Sequence, residues 1–302
     1  MSSIGKVSRV LNIINKSIES KNTKIKTPIS LHEYTITPLK GKDEQELKQI
    51  INPRKPESKI TEKLYFTIYS HILEGKNVNE EDESKIITFE KFLKSESIFD
   101  VIALFHALNI ATFEYMKDYE FVCPYCEATN KIDKLPYSNF ENTSKTWDKE
   151  KPFTDYVYTI SLQLDDNIDI VFNTKIATLY HEIAISKKIL NETSVNERTN
   201  LPLYTLTSSN VERCLFITNT MEIIEKDKPE GENKTILDNM YDIKIVLESL
   251  PENIIEEVLN RFNDEFTKYI PNYAYKIKCP ECEKETEIFY HPIFEFITRV
   301  LM

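Results

Sequence analysis

The chain of 302 residues is 41% hydrophobic and 29% charged, a composition typical of a folded globular protein and not of a disordered one. Its 38 Lys and Arg residues face 49 Asp and Glu residues, and the resulting net charge of −11 disfavours general binding to nucleic acid or to anionic membranes. The four glycines of the chain cannot build a Walker loop or a GxGxxG turn, which excludes the usual phosphate-cradling nucleotide sites.

Two further sequence patterns indicate the cellular compartment of the protein. The longest apolar stretch, residues 101–113, is too short to span a membrane and is typical of a buried helix. Residues 1–21 lack the continuous apolar run of a signal peptide. We therefore expect a reducing cytoplasm, where cysteine pairs indicate metal or redox chemistry before structural disulfides.

The first region, residues 1–27, is predicted to be a basic amphipathic arm. Its apolar residues follow a helical stripe, and its Lys and Arg residues stand out in an acidic protein. Either a solvated helix face or a docking arm for an acidic partner explains this pattern. The stripe consists of Val7, Val10, Leu11, Ile14 and Ile18.

Residues 28–140 are predicted to form an α+β region. A strand is expected within 30–41, followed by a helix over 42–51 and a Pro-rich break at 52–58. Helical spacing then covers residues 61–73 and 89–116, with an acidic loop at 74–84 between them. The first Cys-x-x-Cys motif follows within residues 118–135.

Residues 141–235 form a β-rich middle region in this interpretation, and residues 236–302 a C-terminal helical region. Two alternating runs, 155–165 and 166–175, predict strands joined by a turn at Asp165 and Asp166. A helix over 176–189, a polar connection over 191–210 and an apolar run over 211–225 follow. The C-terminal region has helical spacing on both sides of Pro251, a second Cys-x-x-Cys motif within 273–290, and a short aromatic tail.

Four of the five cysteines form two related motifs. Cys123 and Cys126 stand in CPYC, and Cys279 and Cys282 in CPEC. The flanking residues correspond at an offset of 156, and each copy has the pattern of strand, knuckle and strand. This weak internal repeat is typical of the two halves of a zinc ribbon, because tetrahedral Zn²⁺ takes four thiolates and each half supplies two.

The sequence therefore predicts one structural zinc bound by Cys123, Cys126, Cys279 and Cys282. The separation of 152 residues between Cys126 and Cys279 is far longer than in a compact ribbon, although the entropy of closing such a loop grows only logarithmically. Two disulfides, a metal-free relic of a zinc site, and a thioredoxin-like redox site remain alternatives. A catalytic zinc is disfavoured because four thiolates leave no ligand position for water. Cys214 is interpreted as a small buried apolar residue.

No pattern in the chain predicts catalysis. His181 and Glu182 begin an HExxH-like run that lacks its second histidine, and no GxSxG elbow is present. The remaining histidines have no evident partner in the sequence. We therefore expect a protein that is not an enzyme.

The order of elements resembles that of the T-even-type bacteriophage baseplate hub protein family. The resemblance rests on a strand with an acidic helix in LHEYTITPLKGKDEQELKQI, a helix running into the first knuckle in IFDVIALFHALNIATFEYMKDYEFVCPYC, and a variable β-rich middle. Its most specific element is the closing block IPNYAYKIKCPEC with HPIFEF. Family knuckles often read CPxCG, whereas Glu127 and Glu283 occupy the glycine positions here, which strains the left-handed turn.

The resemblance implies a structural or assembly component of a contractile phage tail baseplate, without enzymatic activity. Its partners would be other baseplate, hub or tail proteins in a hetero-oligomeric assembly, with no nucleic acid or membrane bound. The chain would reside in the virion tail baseplate and in the host cytoplasm during assembly. A permanent baseplate subunit and an assembly chaperone that leaves before maturation both fit this implication.

Two other classes of function remain open at this stage. A zinc-ribbon module could bind nucleic acid through a local basic strip formed by Lys276, Lys278 and Lys284. An enzyme with an unrecognised site would show a deep pocket with convergent polar groups. In each case the expected fold class is α+β, with helices, small antiparallel sheets and a split zinc ribbon made by the two CPxC knuckles.

Overall fold

A computed structural model describes residues 20–51, 60–76, 87–188 and 209–301, together with the single positions 10, 13 and 17. These residues form a mixed α+β fold, as the sequence predicts. The α-helices within these ranges are α1 Gly41–Ile50, α2 Ile60–Ser70, α3 Phe89–Ser95, α4 Asp100–Phe113, α5 Leu179–Lys188, α6 Asn210–Ile217, α7 Met240–Ser249, α8 Glu252–Phe266 and α9 Pro292–Leu301.

The strands of the same ranges are short and antiparallel. They are β1 Thr23–Lys26, β2 Glu33–Ile36, β3 Ile72–Lys76, β4 Tyr115–Val122, β5 Thr129–Pro136, β6 Glu141–Asn142, β7 Tyr158–Gln163, β8 Ile168–Thr174, β9 Thr218–Glu225, β10 Lys234–Leu237, β11 Tyr273–Lys278 and β12 Glu285–Tyr290. Three sheets have the orders β1-β2-β3, β10-β9-β8-β7 and β12-β11-β6, and β4 with β5 forms a separate hairpin. Each CPxC motif lies in the turn of one hairpin, β4/β5 or β11/β12.

Helix α4 lies at the centre of the molecule because nearly its whole surface is apolar. Eleven of its residues are buried, among them Asp100, His106 and Asn109. A helix that is apolar on all sides must be covered on all sides, and α4 packs against β1, β2 and α9. The buried helix expected from residues 101–113 is confirmed.

Helices α8 and α9 have a single apolar face each: α8 packs against α6 and β7, and α9 packs against α4. In α8 the buried residues recur at helical spacing from Ile255 to Phe266, and the helix starts immediately after Pro251, a residue that suits the start of a helix. In α9 the buried residues Ile293, Phe296, Ile297 and Val300 share one face. The Phe296 ring contacts the Phe105 ring of α4 at a centroid distance of 4.9 Å and a tilt of 55°, which joins the C-terminal helix to α4.

Several boundaries differ from those expected from the sequence. Residues 23–26, included in the basic arm, form strand β1 paired with β2; of the rest of the arm, the structure describes residues 20–22 and 27 and the single positions 10, 13 and 17. The helix expected over 61–73 ends at Ser70, and the chain continues as β3. The strand expected within 30–41 covers only Glu33–Ile36. Most of the acidic loop and of the polar connection over 191–210 lies outside the described residues.

Tertiary pairing explains other differences of this kind. The helical spacing over 89–116 is divided between α3 and α4, and its last two residues begin β4. The apolar run over 211–225 is divided between α6 and β9, because β9 pairs with β8 in the four-stranded sheet. The aromatic tail is helix α9.

The turn between the two middle strands is confirmed, with the Asp165 carboxylate accepting hydrogen bonds from the backbone N–H groups of Asn167 and Ile168 at 2.8 Å.

A buried acidic network fastens the N-terminal sheet to the start of α4. The Asp100 carboxylate accepts hydrogen bonds from the backbone N–H groups of Ile29 and Ser30, both at 2.9 Å, and from Ser97 Oγ at 2.8 Å. Glu96, also fully buried, accepts hydrogen bonds from Ser30 Oγ at 2.6 Å and from Tyr34 Oη at 2.6 Å. Burial and the neighbouring Glu96 charge raise the pKa of Asp100 to about 7.

Within the described ranges, no helix has the length and apolar character needed to cross a bilayer.

Candidate metal centre

Both cysteine motifs adopt the same backbone turn. In the first, the Cys123 N–H donates to the Ala128 carbonyl at 3.0 Å and the Glu127 N–H donates to the Cys123 carbonyl at 2.9 Å. In the second, the Cys279 N–H donates to the Lys284 carbonyl at 3.0 Å and the Glu283 N–H donates to the Cys279 carbonyl at 2.9 Å. Equivalent bonds at equivalent distances show that the internal repeat of the sequence is a structural repeat.

The turns have their strained residue at the position where glycine was expected. Glu127 and Glu283 both have a φ of 59°, in the left-handed region that disfavours residues with a Cβ. Both side chains are exposed, so the strain is local to the backbone. Glutamate therefore does not change the knuckle geometry, although it makes each turn less favourable than glycine would.

The two turns bring all four sulfur atoms together. Cys123 Sγ lies 3.7 Å from Cys282 Sγ, and Cys126 Sγ lies 3.7 Å from Cys279 Sγ. All four Sγ atoms lie within 4.8 Å of one another. The predicted convergence of these four residues is therefore present, across a sequence separation of 152 residues.

The sulfur distances fit a metal better than they fit disulfides. A tetrahedral ion with metal–sulfur bonds of about 2.3 Å separates its sulfur ligands by about 3.8 Å, whereas a disulfide requires about 2.05 Å. All four cysteines are free thiols in the structure. Each motif lies in a β-hairpin and neither lies at a helix N-terminus, which disfavours the thioredoxin-like alternative.

The four thiols differ in their exposure and acidity. Cys123 and Cys279 are buried, Cys282 is half-buried, and Cys126 is exposed. Desolvation opposes ionisation of Cys279, but the backbone N–H groups of Cys282 and Glu281 and the neighbouring thiols outweigh it and lower the pKa of Cys279 to about 6. At Cys126 the Ala128 backbone hydrogen bond lowers the pKa, but desolvation and the neighbouring thiols outweigh it and raise the pKa to about 12. The thiolate form is therefore favoured at Cys279, and a metal ligand must be deprotonated.

An aromatic cluster packs the second hairpin against α4, the helix that precedes the first hairpin. His106 of α4 stacks on Tyr273 of β11 at a centroid distance of 3.8 Å, and its Nδ1 is hydrogen bonded to the Tyr290 hydroxyl. Tyr290 also contacts Phe140, which follows β5, at 4.7 Å. Burial lowers the pKa of His106 to about 3, so the imidazole is neutral at physiological pH. A direct contact between the hairpins is a hydrogen bond from the Tyr119 hydroxyl of β4 to the Phe289 carbonyl of β12 at 3.4 Å.

A buried amide completes the surroundings of the sulfur cluster. Asn130 of β5 is 6% exposed, and its Nδ2 lies 3.6 Å from Cys279 Sγ. No sequence pattern indicates this residue, because a lone Asn in an alternating strand carries no signal by itself. The offset of 156 places Thr286 at the equivalent position of the second motif.

Other sequence candidates occupy ordinary structural positions. Lys276 and Lys278 lie directly opposite Glu287 and Glu285 across the β11/β12 hairpin, and the Lys284 ammonium lies 4.9 Å from the centre of the Tyr125 ring. The strip expected to be basic is therefore interleaved with acidic residues. Cys214 is buried, as expected, and its Sγ lies 3.8 Å from Thr218 Oγ1.

The acidic half of the HExxH-like run has a structural partner. Glu182 is fully buried in α5 and accepts a hydrogen bond from the Tyr65 hydroxyl of α2. Burial lowers the pKa of the adjacent His181, so its imidazole stays neutral near pH 7. The hydrogen bond between Tyr65 and Glu182 joins α2 to α5, and neither residue takes part in the sulfur cluster.

Comparison of the chain with protein-family models, with curated proteins and with solved structures gives no match.

Proposed function

We propose that the chain is a non-enzymatic structural or assembly component of a contractile phage tail baseplate, and that one zinc ion bound by Cys123, Cys126, Cys279 and Cys282 stabilises its fold. The observation that carries the proposal is the convergence of four sulfur atoms from two hairpins that lie 152 residues apart. The phage assignment itself is supported by the resemblance of the knuckle-bearing elements to the baseplate hub family.

The donor set favours zinc as the ion. Soft thiolate ligands select zinc, copper(I) or iron–sulfur chemistry, and four cysteines in a tetrahedral arrangement are typical of structural zinc. Four thiolates fill the coordination shell, so the ion supplies a cross-link and leaves no position for an activated water. The cross-link joins β4/β5 to β11/β12, the hairpins that follow α4 and α8.

An exposed apolar face near the second hairpin supports binding to other proteins. Phe294 and Leu301 lie on the outer side of α9 and are 64% and 44% exposed, and Phe289 at the end of β12 is 49% exposed. Large exposed aromatic residues are enriched in the cores of protein interfaces. Phe294 of this face belongs to HPIFEF, part of the closing block that carries the most specific part of the family resemblance.

Two measurements test the proposal. Elemental analysis of the purified full chain should find one zinc per chain, and a protein with no bound metal after expression in zinc-supplemented medium would contradict the zinc site. Mass spectrometry of purified virions and of tail-assembly intermediates tests the baseplate role. Presence in virions indicates a permanent subunit, presence only in intermediates indicates an assembly factor, and absence from both would overturn the phage assignment.

A further inference from the structure

The two halves of the sulfur cluster differ at one buried position. Asn130 follows the first knuckle, and its Nδ2 donates a hydrogen bond to the Ala128 carbonyl at 3.0 Å. The same Nδ2 lies 3.6 Å from Cys279 Sγ, a ligand from the other half of the chain. Among the hydrogen bonds of the described residues, the equivalent Thr286 makes none to a sulfur atom. The pseudo-symmetry of the turns therefore does not extend to their surroundings.

The orientation of the Asn130 amide follows from its partners. A carbonyl oxygen accepts hydrogen bonds only, so the group next to the Ala128 carbonyl must be the amide nitrogen. A metal-bound thiolate likewise accepts and does not donate. Nδ2 is thereby shared between the Ala128 carbonyl and Cys279 Sγ, and it is the nearer amide atom to the sulfur, since Oδ1 lies 3.8 Å away. The flipped amide would place its oxygen against the Ala128 carbonyl.

We propose that Asn130 is a positioning residue of the metal centre that stabilises the Cys279 thiolate, and that metal loss begins at Cys126 on the exposed side. This inference rests on the proposed zinc site. Four thiolates around Zn²⁺ carry a net charge of −2, and a buried anion requires hydrogen-bond donors. Cys279 is 1% exposed and obtains such a donor from Asn130.

Cys126 differs from Cys279 in access to solvent. Cys126 is exposed, whereas Cys123 and Cys279 are buried, so a reagent in solution reaches Cys126 first. With iodoacetamide, the Cys126 sulfur forms a bond to the methylene carbon, the carbon–iodine bond breaks, and iodide leaves. A zinc-bound thiolate carries no proton, so no base is needed. The product is a neutral thioether, a weaker ligand, and the remaining thiolates then lose the ion.

Zinc affinity and a spectroscopic signature test the role of Asn130. We compare Asn130→Ala and Asn130→Asp with Thr286→Ala, the matched control at the equivalent position of the second half. Competition with a chromophoric chelator should show zinc binding weakened about tenfold by Asn130→Ala and more by Asn130→Asp, which places a carboxylate beside a thiolate. Thr286→Ala should bind zinc as the unmodified chain does.

Cobalt substitution separates positioning from a general loss of stability. Removing an N–H donor raises the energy of the sulfur lone pairs, so the thiolate-to-cobalt charge-transfer band of Asn130→Ala should move to longer wavelength. The band of Thr286→Ala should not move. Equal zinc affinity and equal band positions in Asn130→Ala and the unmodified chain would overturn the positioning role.

The alkylation order is measured on the unmodified zinc-loaded chain and does not depend on the folding of any variant. Limited iodoacetamide treatment followed by peptide mass spectrometry should find Cys126 modified first, with zinc release following that modification. First modification at Cys123 or Cys279 would contradict the proposed route. An unmodified chain without zinc would instead refute the proposed function, so the two failures are distinguishable.

Discussion

Removal of a single sulfur ligand should lower the stability of the whole chain. In Cys279→Ser, the ion loses a buried ligand and the tie between the two hairpins is weakened or lost. That tie closes a loop of 152 residues between Cys126 and Cys279. A cross-link that closes a loop of this length stabilises the folded state by roughly 5 kcal/mol in the chain-entropy model. We expect Cys279→Ser to lose up to about this amount, and the melting temperature of the 302-residue chain to fall by up to about 8 °C.

The variant should nevertheless fold, because the aromatic cluster around His106 and Tyr290 packs β11/β12 against α4 without the ion. Urea unfolding followed by tryptophan fluorescence measures the loss directly. Trp147 is the single tryptophan of the chain, and its ring contacts Tyr269, close to the C-terminal end of α8, at a centroid distance of 4.9 Å. Its emission therefore reports on the packing of the C-terminal region against the rest of the fold.

Two comparisons make this prediction falsifiable. Cys123→Ser should be about as destabilised as Cys279→Ser, and the double variant should add little, because each change breaks the same site. Cys214→Ala, at a buried thiol outside the cluster, should lose only about 1 kcal/mol and keep its zinc. A neutral Cys123→Ser beside a severely destabilised Cys279→Ser would refute the shared site.

Three further predictions follow from the backbone and from buried ionisable groups. Glu283→Gly should stabilise the chain by about 1 kcal/mol in urea unfolding, because glycine adopts the left-handed turn without strain, whereas Glu281→Gly in the same turn should not. The pKa of His106 is about 3 in the folded chain and about 6.5 when unfolded. The contribution of the neutral imidazole to the free energy of unfolding is therefore complete above pH 6.5 and is lost as the pH falls towards 3. With both proteins metal-free, the free energy of unfolding of His106→Phe should rise by about 2 kcal/mol relative to that of the unmodified chain as the pH falls from 7 to 5. A difference between the two proteins that does not change with pH would contradict burial of the neutral imidazole. The pKa of Asp100 is raised to about 7, so its protonation favours the folded state below pH 7, and Asp100→Asn should lose about 2 kcal/mol relative to the unmodified chain over the same pH interval.

The cysteine spacing carried more information than the rest of the sequence. Two CPxC motifs with corresponding flanks are sufficient to predict two hairpins and a shared site, because the spacing and turn of each motif are local properties. The same holds for the buried helix α4, whose apolar run has no polar face, and for the turn at Asp165. Glu127 and Glu283 were identified as strained positions from sequence, and their φ values agree.

Long-range strand pairing sets the bounds of helices and strands that local sequence patterns do not predict. Residues 23–26 form a strand because β2 offers them a partner, and the helical spacing over 61–73 breaks at Ser70 because the next residues pair with β2. Sequence periodicity records which faces are apolar, but it does not record which partner a backbone will find. The boundaries of short strands therefore depend on the tertiary structure.

The sequence by itself determined the geometry of each knuckle, because ligand spacing is set by a few covalently linked residues, and it predicted the shared site because each knuckle supplies only two of four ligands. Only the tertiary structure decided that Asn130 lies beside Cys279, that Cys126 faces solvent, and that Glu96 and Asp100 are buried under the N-terminal sheet. Each of these facts depends on contacts between segments far apart in the chain. Their energies arise from burial and hydrogen bonding across the fold, and no local pattern of residues encodes them.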